Sequence, residues 1–412
     1  MPGQPRLFDA AITGLGLVTP AGIGVAASWQ AVCEADGTAA APDPVLSMLR
    51  TDFSARVPGF DGDALLGRRK AWRLDRFTQL ALVAAREAVQ DSGLDPRTWD
   101  GARVGVVIGN GIGGATTWEK QHLALLGDGP ETVSPMLVPM LSMNMVAGYL
   151  SIEYGATGPS LVTATACASG STAIGIARDL LRSGTCDVVI TGGTEACLVP
   201  SMMSGFSRMG ALSRRRDDPK GASRPFDVAR DGFVPAEGAA ILILERRADA
   251  VARGARIHAS VSGYGASADA HHATAPDPEG KGAARAMRIA LRDAGVGPDA
   301  VDHVNAHGTS TPLNDKVEAG MIRQVLGDRP TVTAVKGVTG HSLGAAGAIE
   351  AAITALSVEN SFAPPTANLT EQDPEVDLDV VAKAGRAQRI EVAVSNSFGF
   401  GGQNAVLVIS TG

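Results

Sequence analysis

Residues 163–177 read TATACASGSTAIGIA, and residues 339–356 read TGHSLGAAGAIEAAITAL. In each stretch a turn of small residues leads into a helical segment built almost wholly from Ala, Gly, Ser and other apolar residues. A helix that is apolar on every side is buried all round. Because the chain uses this device twice, we interpret it as two similar halves, residues 1–252 and 253–412, which meet near the segment ERRADAVARGARIHA.

Short apolar runs alternate with Ala-rich helical patterns along the rest of the chain. The runs predict buried strands, and the patterns predict helices that end at Gly or at turn residues. The predicted strands are AAITGLG (10–16), RVGVVIG (103–109), VVITGGTEA (188–196), AAILILER (239–246), DHVNAHG (302–308), TVTAVKG (331–337), VAVSNS (392–397) and NAVLVIS (404–410). The predicted helices cover 77–93, 170–184, 281–295 and 346–356. This alternation predicts an α/β layered fold.

Composition and charge argue against several classes of protein. A net charge of −7 argues against non-specific nucleic-acid binding, which needs a basic surface. No run approaches the ~18 apolar residues of a membrane span, and MPGQPRLFDAAITGLG lacks the pattern of a secretory signal. The four cysteines are sparse and lack CxxC spacing. We therefore expect a cytoplasmic protein with no disulfide framework and no metal site.

Two literal motif matches fail in their context. Gly109, Gly111 and Gly114 have dinucleotide-binding spacing after a strand, but the region where an acidic residue should end a second strand reads LLGDGPETVSPML and resembles a loop. Residues 340–344 match the G-x-S-x-G elbow of hydrolases, which requires a histidine after the serine. The last histidine of the chain, His341, precedes that serine. Both stretches are better explained as glycine turns.

Cys167 lies where a strand-like run ends and a helical segment begins. A helix N-terminus lowers the pKa of a thiol and offers free amides to an oxyanion. A lone cysteine in an apolar run is usually a core residue, and we interpret the other three cysteines in that way. His307 and His341 each end a strand in a Gly/Thr/Ser-rich turn, where α/β proteins place chemistry. The other five histidines are expected on the surface or in packing roles.

Four motifs in order, TACASG, NAHGTST with Asp315 and Glu318 behind it, KGVTGHSLGAAGAIE and NSFGFGGQN, resemble the signature set of β-ketoacyl-acyl-carrier-protein synthases. The resemblance covers essentially the whole chain and is closest to the synthase II type of bacterial fatty-acid synthesis. It implies the thiolase fold, in which two pseudo-duplicated halves form a five-layered α-β-α-β-α arrangement. It also implies a dimer that receives its substrates, with their phosphopantetheine arm, on an acyl carrier protein and needs no other cofactor.

The resemblance assigns roles residue by residue. Cys167 would take the acyl group, while His307 and His341 would bind the thioester oxygen of malonyl-carrier protein as carbon dioxide leaves. Lys336 and Glu318 match the pair that supports these histidines, and the amides of Cys167 and Phe400 would form the oxyanion hole. Positions implied to bind substrate are Ile112, Phe206, Thr274, Thr309, Thr311 and Gly401, and those implied to dock the carrier protein are Arg69, Lys70 and Arg73. Gly210 stands where the family has a further arginine, which leaves the docking surface in question.

Relatives of the family fit less well. Thiolases need a second cysteine near the C-terminus, and none follows Cys197. The synthase III type uses Cys, His and Asn, whereas two histidines appear here, and a chain-length-factor subunit would lack the nucleophilic cysteine. A ketosynthase of a type II polyketide system, paired with a chain-length factor, stays open as the alternative to fatty-acid elongation by a homodimer.

Overall fold

The computed structural model describes residues 8–412 and contains, within that range, 16 strands and 14 α-helices. The strands are β1 Ala10–Thr19, β2 Gly22–Ile23, β3 Ala41–Pro42, β4 Phe53–Ser54, β5 Val104–Gly109, β6 Ser160–Thr163, β7 Val188–Glu195, β8 Gly238–Arg246, β9 Ala259–Ala268, β10 His303–Asn305, β11 Thr331–Thr333, β12 Phe362–Ala363, β13 Asp379–Val380, β14 Arg386–Ala387, β15 Val392–Gly399 and β16 Gln403–Ser410. The helices are α1 Val25–Glu34, α2 Gly62–Leu66, α3 Arg68–Ala71, α4 Arg76–Ser92, α5 Ala115–Asp128, α6 Leu137–Leu141, α7 Met145–Tyr154, α8 Ser169–Arg182, α9 Pro200–Arg208, α10 Arg247–Ala252, α11 Lys281–Ala294, α12 Pro312–Leu326, α13 Lys336–Thr339 and α14 Ala346–Asn360.

A twelve-stranded sheet carries the architecture, with β2 beside β1 and the order β13-β11-β10-β15-β16-β9-β1-β8-β7-β5-β6. Along the order β1-β8-β7-β5-β6, the first two neighbouring pairs of strands are antiparallel and the last two are parallel. The order β9-β16-β15-β10-β11 repeats the same sequence of directions. The two sets join where β1 pairs with β9. The structure therefore contains the repeated arrangement that the two apolar helices predicted, while the boundary at residue 252 stays a prediction.

Three hydrophobic clusters separate the layers. The central cluster contains α8 and α14 together with residues of β1, β8 and β16. One outer cluster packs α4 and α7 on the first set of strands, and the other packs α11 and α12 on the second set. Helices α8 and α14 are thus covered on both sides, which explains their apolar composition. The result is the five-layered α-β-α-β-α fold.

The sequence patterns missed helices α1, α5, α7, α9 and α12, and among the long strands they missed β9. Its sequence, ASVSGYGASA, interrupts the apolar run with serine and glycine. A Cβ at Gly263 or Gly265 would lie 2.3 or 2.1 Å from a carbonyl oxygen of α11, so only glycine lets this helix lie on the strand. The predicted strand 331–337 was too long, because β11 ends at Thr333 and Lys336 opens α13. No helix within residues 8–412 is long and apolar enough to span a membrane.

Candidate active site

One cavity of about 390 Å³ lies where the strand ends of the two halves meet. Nine of the predicted site residues line it: Cys167, Phe206, Thr274, His307, Thr309, Thr311, Glu318, His341 and Phe400. Three others lie around it. Lys336 is buried behind the two histidines, Ile112 packs in the apolar cluster that contains Cys167, and Gly401 is exposed at the rim.

Cys167 lies in the turn between β6 and α8. The preceding residue, Ala166, has a left-handed backbone with φ of 48°, and the thiol is buried, with 7% of the residue exposed. Burial raises the pKa of Cys167 to about 11, although the charge of Lys336 and the N–H of Phe400 lower it. The lowered thiol pKa expected from the helix start is therefore not what this pocket produces, because desolvation of the thiolate outweighs the favourable groups.

His341 faces the thiol, with Nε2 3.2 Å from Cys167 Sγ. Its backbone is fixed on both sides, because its N–H donates to the carbonyl of Val234 and its carbonyl accepts the N–H of Ala236. The ring of Phe233 packs edge-on against the imidazole. Burial, followed by the charge of Lys336, holds the pKa of His341 well below its ordinary value. The imidazole beside the thiol is therefore neutral at neutral pH.

His307 packs edge-on against His341, with ring centroids 5.5 Å apart. Glu318 holds its turn in place: one carboxylate oxygen accepts the N–H of His307 at 2.7 Å and the other accepts that of Gly308 at 2.8 Å. The amide of Asn396 donates to the same carboxylate at 3.0 Å. Burial, with the nearby charge of Lys336, lowers the pKa of His307 well below its ordinary value.

Lys336 lies behind both histidines. Its Nζ donates to the carbonyl of His307 at 2.7 Å and lies 3.3 Å from His307 Nδ1. Its carboxylate partner is Glu350 on α14, not Glu318, so the two predicted supporting residues contact the His307 turn separately. An ammonium group can only donate. The Nδ1 of His307 is therefore an acceptor, and its proton lies on Nε2.

Glu350 was missed by the sequence reasoning. It is buried within α14, and burial raises its pKa to about 7 even though Lys336 lowers it. A usable signal was present, since Glu350 is the single charged residue in the apolar stretch 343–356. A buried carboxylate requires a partner, and the charged residue of the preceding turn is Lys336.

Two loops border the outer part of the cavity. Gly401 follows Phe400 in a left-handed turn, with φ of 82°, and donates its N–H to the carbonyl of Ala273 at 2.7 Å. This contact links the GFGG loop to the loop that carries Thr274. On the other side, the hydroxyl groups of Thr309 and Thr311 lie 2.9 Å apart. Both threonines line the cavity.

The predicted docking residues lie elsewhere on the surface. Arg69, Lys70 and Arg73 line a shallow groove with Tyr149 and Ile152. Lys70 forms an ion pair with Glu153 at 2.5 Å. Gly210, which replaces a basic residue expected from the resemblance, lines the main cavity.

The five-layered fold, with a thiol and two imidazoles in one central cavity, places the chain in the class of thiolase-fold condensing enzymes. Residues 8–250 match the family model described as beta-ketoacyl synthase, N-terminal domain, and residues 258–370 match the C-terminal domain. The chain belongs to the beta-ketoacyl synthase family.

Named relatives lie on both sides of the fatty-acid and polyketide division. Over 403 residues the chain is 45% identical to the 3-oxoacyl-[acyl-carrier-protein] synthase 2 of Synechocystis sp., and the alignment covers 96% of each chain. Among solved structures, a chain of the ishigamide ketosynthase/chain length factor superimposes with a TM-score of 0.92 at 35% identity, covering 99% of this chain and all of that one. A type II polyketide ketosynthase in complex with its acyl-carrier protein gives 0.89 at 32%, covering 99% and 100%.

Proposed function

We propose that this chain elongates acyl chains by decarboxylative condensation with malonyl-acyl carrier protein, as an enzyme of fatty-acid synthesis. The observation that carries the proposal is the juxtaposition of the Cys167 thiol with His341 at 3.2 Å and of His341 with His307 in one buried cavity. The 45% identity to a 3-oxoacyl-[acyl-carrier-protein] synthase 2 over almost the whole chain supports the pathway.

In the first half-reaction Cys167 takes the acyl group. The neutral Nε2 of His341 can accept the thiol proton as the sulfur bonds to the substrate carbonyl. Burial disfavours both a free thiolate and an imidazolium, so proton transfer and attack occur together. The sulfur attacks the thioester carbonyl of acyl-carrier protein, and the carbon–sulfur bond to the carrier breaks. The proton passes to the departing carrier thiol. The N–H of Phe400, which contacts Sγ, is placed to stabilise the oxyanion together with the N–H of Cys167.

In the second half-reaction the malonyl group loses carbon dioxide, and negative charge builds on its thioester oxygen. His307 offers Nε2–H, because Lys336 occupies its Nδ1. In this half-reaction the single proton of the neutral His341 ring lies on Nε2 rather than on Nδ1, which has no hydrogen-bond partner among the described residues, so His341 offers the second N–H. Two placed donors then stabilise the enolate. Its carbon attacks the carbonyl of the acyl-cysteine, the carbon–sulfur bond breaks, and the Cys167 thiolate recovers a proton as the β-ketoacyl-carrier protein leaves.

The cavity geometry suits a substrate delivered on a long arm. The hydroxyls of Thr309 and Thr311 and the loop with Thr274 line the route toward Cys167, and they can hydrogen-bond the amides of phosphopantetheine. Arg69, Lys70 and Arg73 are a candidate surface for an acidic carrier protein. We place the enzyme in the cytoplasm, since all four of its cysteines, which lie within the described range, are unpaired.

We expect a dimer. Strand β6 lies at the edge of the sheet, and an exposed, unpaired edge is a site for pairing with another chain. Large exposed apolar side chains include Leu161 on β6 and Ile152 on α7, which packs on β6, together with Leu123, Leu126 and Val138 on α5 and α6. If the enzyme acts in fatty-acid synthesis, its partner is a second copy of this chain. In the second candidate function it is a chain-length factor, which the likeness to the ishigamide ketosynthase/chain length factor favours.

Two measurements test these assignments. Incubation with acyl-acyl carrier protein followed by peptide mapping should place the acyl group on Cys167, and malonyl-carrier protein should then give the β-ketoacyl product. Acylation of Cys186 instead would refute the role of Cys167. Native mass spectrometry of the protein purified with its co-encoded neighbours separates the pathways, because a homodimer supports fatty-acid synthesis and a heterodimer with a cysteine-free homologue supports polyketide synthesis.

A further inference from the structure

Glu195, the last residue of β7, is a fully buried carboxylate with no cationic partner among residues 8–412. Its Oε2 accepts the N–H of Gly111 at 2.8 Å and that of Gly344 at 3.3 Å. Its Oε1 accepts from the side-chain amide of Asn110 at 3.2 Å, and the N–H of Ile112 also contributes. Burial without a counter-ion is costly to a carboxylate, and it raises the pKa of Glu195 to about 7 although these amide groups lower it.

The carboxylate joins two loops that come from different halves of the molecule. Residues 110–112 follow β5, and Gly344 lies just before α14. The loops are in close contact, since a Cβ on Gly344 would lie 2.5 Å from the nitrogen of Gly111. Ile112 and Leu343, which flank this junction, both pack in the apolar cluster that contains Cys167. Glu195 therefore ties together an apolar wall beside the thiol.

We propose that Glu195 is a positioning residue that fixes this wall and thereby determines which acyl-chain lengths Cys167 accepts. The proposal rests on the proposed function, since it requires that Cys167 carries an acyl chain. A chain that extends from the sulfur into the apolar cluster meets the Ile112 and Leu343 side chains. A long chain must displace them, and a short chain need not.

A glutamine at this position would weaken the junction without changing its size. Its amide oxygen can accept the N–H of Gly111, but its NH₂ would face the NH₂ of Asn110, donor against donor. Asn110 is not free to turn, because its NH₂ also donates to the carbonyl of Thr194 at 2.7 Å and its oxygen accepts the N–H of Gly113 at 2.7 Å. The wall in the variant should thus yield more easily to a long chain.

The test compares condensation rates with hexanoyl- and tetradecanoyl-acyl carrier protein in the wild type and in Glu195→Gln. The ratio of kcat/KM for the long primer to that for the short one should rise roughly fivefold to tenfold, which corresponds to the net contribution of one ordinary hydrogen bond. Glu87→Gln is the matched control, because Glu87 also accepts two backbone N–H groups, from Leu17 and Val25, away from the cavity. An unchanged ratio, or an equal loss for both primers, would overturn the proposal.

A second readout distinguishes positioning from general stability. The charge of Glu195 raises the pKa of Cys167, so Glu195→Gln should move the alkylation of Cys167 by iodoacetamide to lower pH. Glu195→Asp keeps the charge but shortens the reach, so it should change the primer ratio and leave the alkylation profile in place; this variant carries the test if the glutamine variant does not fold. Failure of the wild type to condense any primer would instead refute the proposed function.

Discussion

Replacing Lys336 by methionine removes one charge from a fully buried pair while keeping a similar volume. Lys336 and Glu350 are each 1% exposed, and Nζ also donates to the carbonyl of His307. Removing one partner of a buried ion pair costs about 3–5 kcal/mol, because the other charge stays behind uncompensated. Glu350 can escape part of this cost by binding a proton. The destabilisation of the variant should therefore depend on pH.

The direction of this pH dependence follows from Glu350, the carboxyl group that remains in the variant. In the wild type the pKa of Glu350 is about 7, raised above the ordinary 4.5 by burial, so stability falls as pH rises from 4.5 and stops falling near pH 7. Without Lys336, which lowers it, the pKa of Glu350 rises further. Stability of the variant then continues to fall above pH 7, by about 1.4 kcal/mol per pH unit. The gap between variant and wild type should widen by roughly that amount between about pH 7 and pH 8.

Urea unfolding at several pH values measures this gap. Lys316→Met is the matched control, since the pair of Lys316 and Glu375 is about half exposed, and it should change the unfolding free energy by less than about 1 kcal/mol at every pH. A gap for Lys336→Met that is constant with pH, or that narrows as pH rises, would contradict the reasoning.

The same substitution should also change the chemistry. The charge of Lys336 lowers the pKa of Cys167, His307 and His341, so its loss should move thiol alkylation to higher pH. His307 would also lose the donor at Nδ1 that fixes its tautomer. Loss of one placed donor costs on the order of 100-fold in rate, and malonyl decarboxylation should fall by about that factor.

Cys167→Ser should abolish acyl transfer while the far-ultraviolet circular dichroism spectrum stays that of the wild type, and retained transfer would contradict the nucleophile assignment. His307→Ala and His341→Ala should each slow carbon dioxide release from malonyl-carrier protein by about 100-fold, and an unchanged rate would contradict their role as donors. His258 is buried, which lowers its pKa, but hydrogen bonds to Asp91 and Glu359 outweigh this and raise it to about 9. Its stabilisation is full below pH 6.5 and lost as pH rises through about 9, so the melting-temperature deficit of His258→Gln should shrink between those values. Reversing charge at Arg69 and Lys70 together should raise KM for carrier protein with kcat unchanged, and an unchanged KM would place docking elsewhere.

Much of the fold follows from local pattern, because its central layers are covered on both sides. Strands such as AAILIL and VGVVIG are buried on both faces, so they are continuous apolar runs rather than alternating ones. The same burial makes α14 apolar all round. Strand β9 was not predicted because its glycines interrupt the apolar run. Those glycines allow close packing against α11, and such a contact between distant segments leaves no periodic pattern in the sequence.

The site divides in the same way. Cys167, His307 and His341 could be found because each stands in a turn of small residues at a strand end. The carboxylate partner of Lys336 and the pKa of the Cys167 thiol could not be predicted, because both depend on which residues tertiary packing places nearby. The helix start predicts a lowered thiol pKa, whereas the buried position raises it. The left-handed backbone of Ala166 and Leu343 also has no sign in the sequence, because neither residue is glycine.

These two left-handed residues occupy corresponding places in the two halves, just before α8 and α14. Such a backbone costs roughly 1–2 kcal/mol in a residue other than glycine, and it persists only where the surroundings fix it. Here the helices fix it by close approach: a Cβ at Gly170 would lie 2.5 Å from the nitrogen of Ala348, and one at Gly347 would lie 2.5 Å from the hydroxyl of Ser171. The contact brings the Cys167 turn to His341 and also excludes water from both. The packing of α8 on α14 thus produces both the 3.2 Å contact between His341 Nε2 and Cys167 Sγ and the burial that raises the thiol pKa. Because burial disfavours a free thiolate, the reaction requires a proton acceptor beside the sulfur, and the neutral imidazole of His341 lies there.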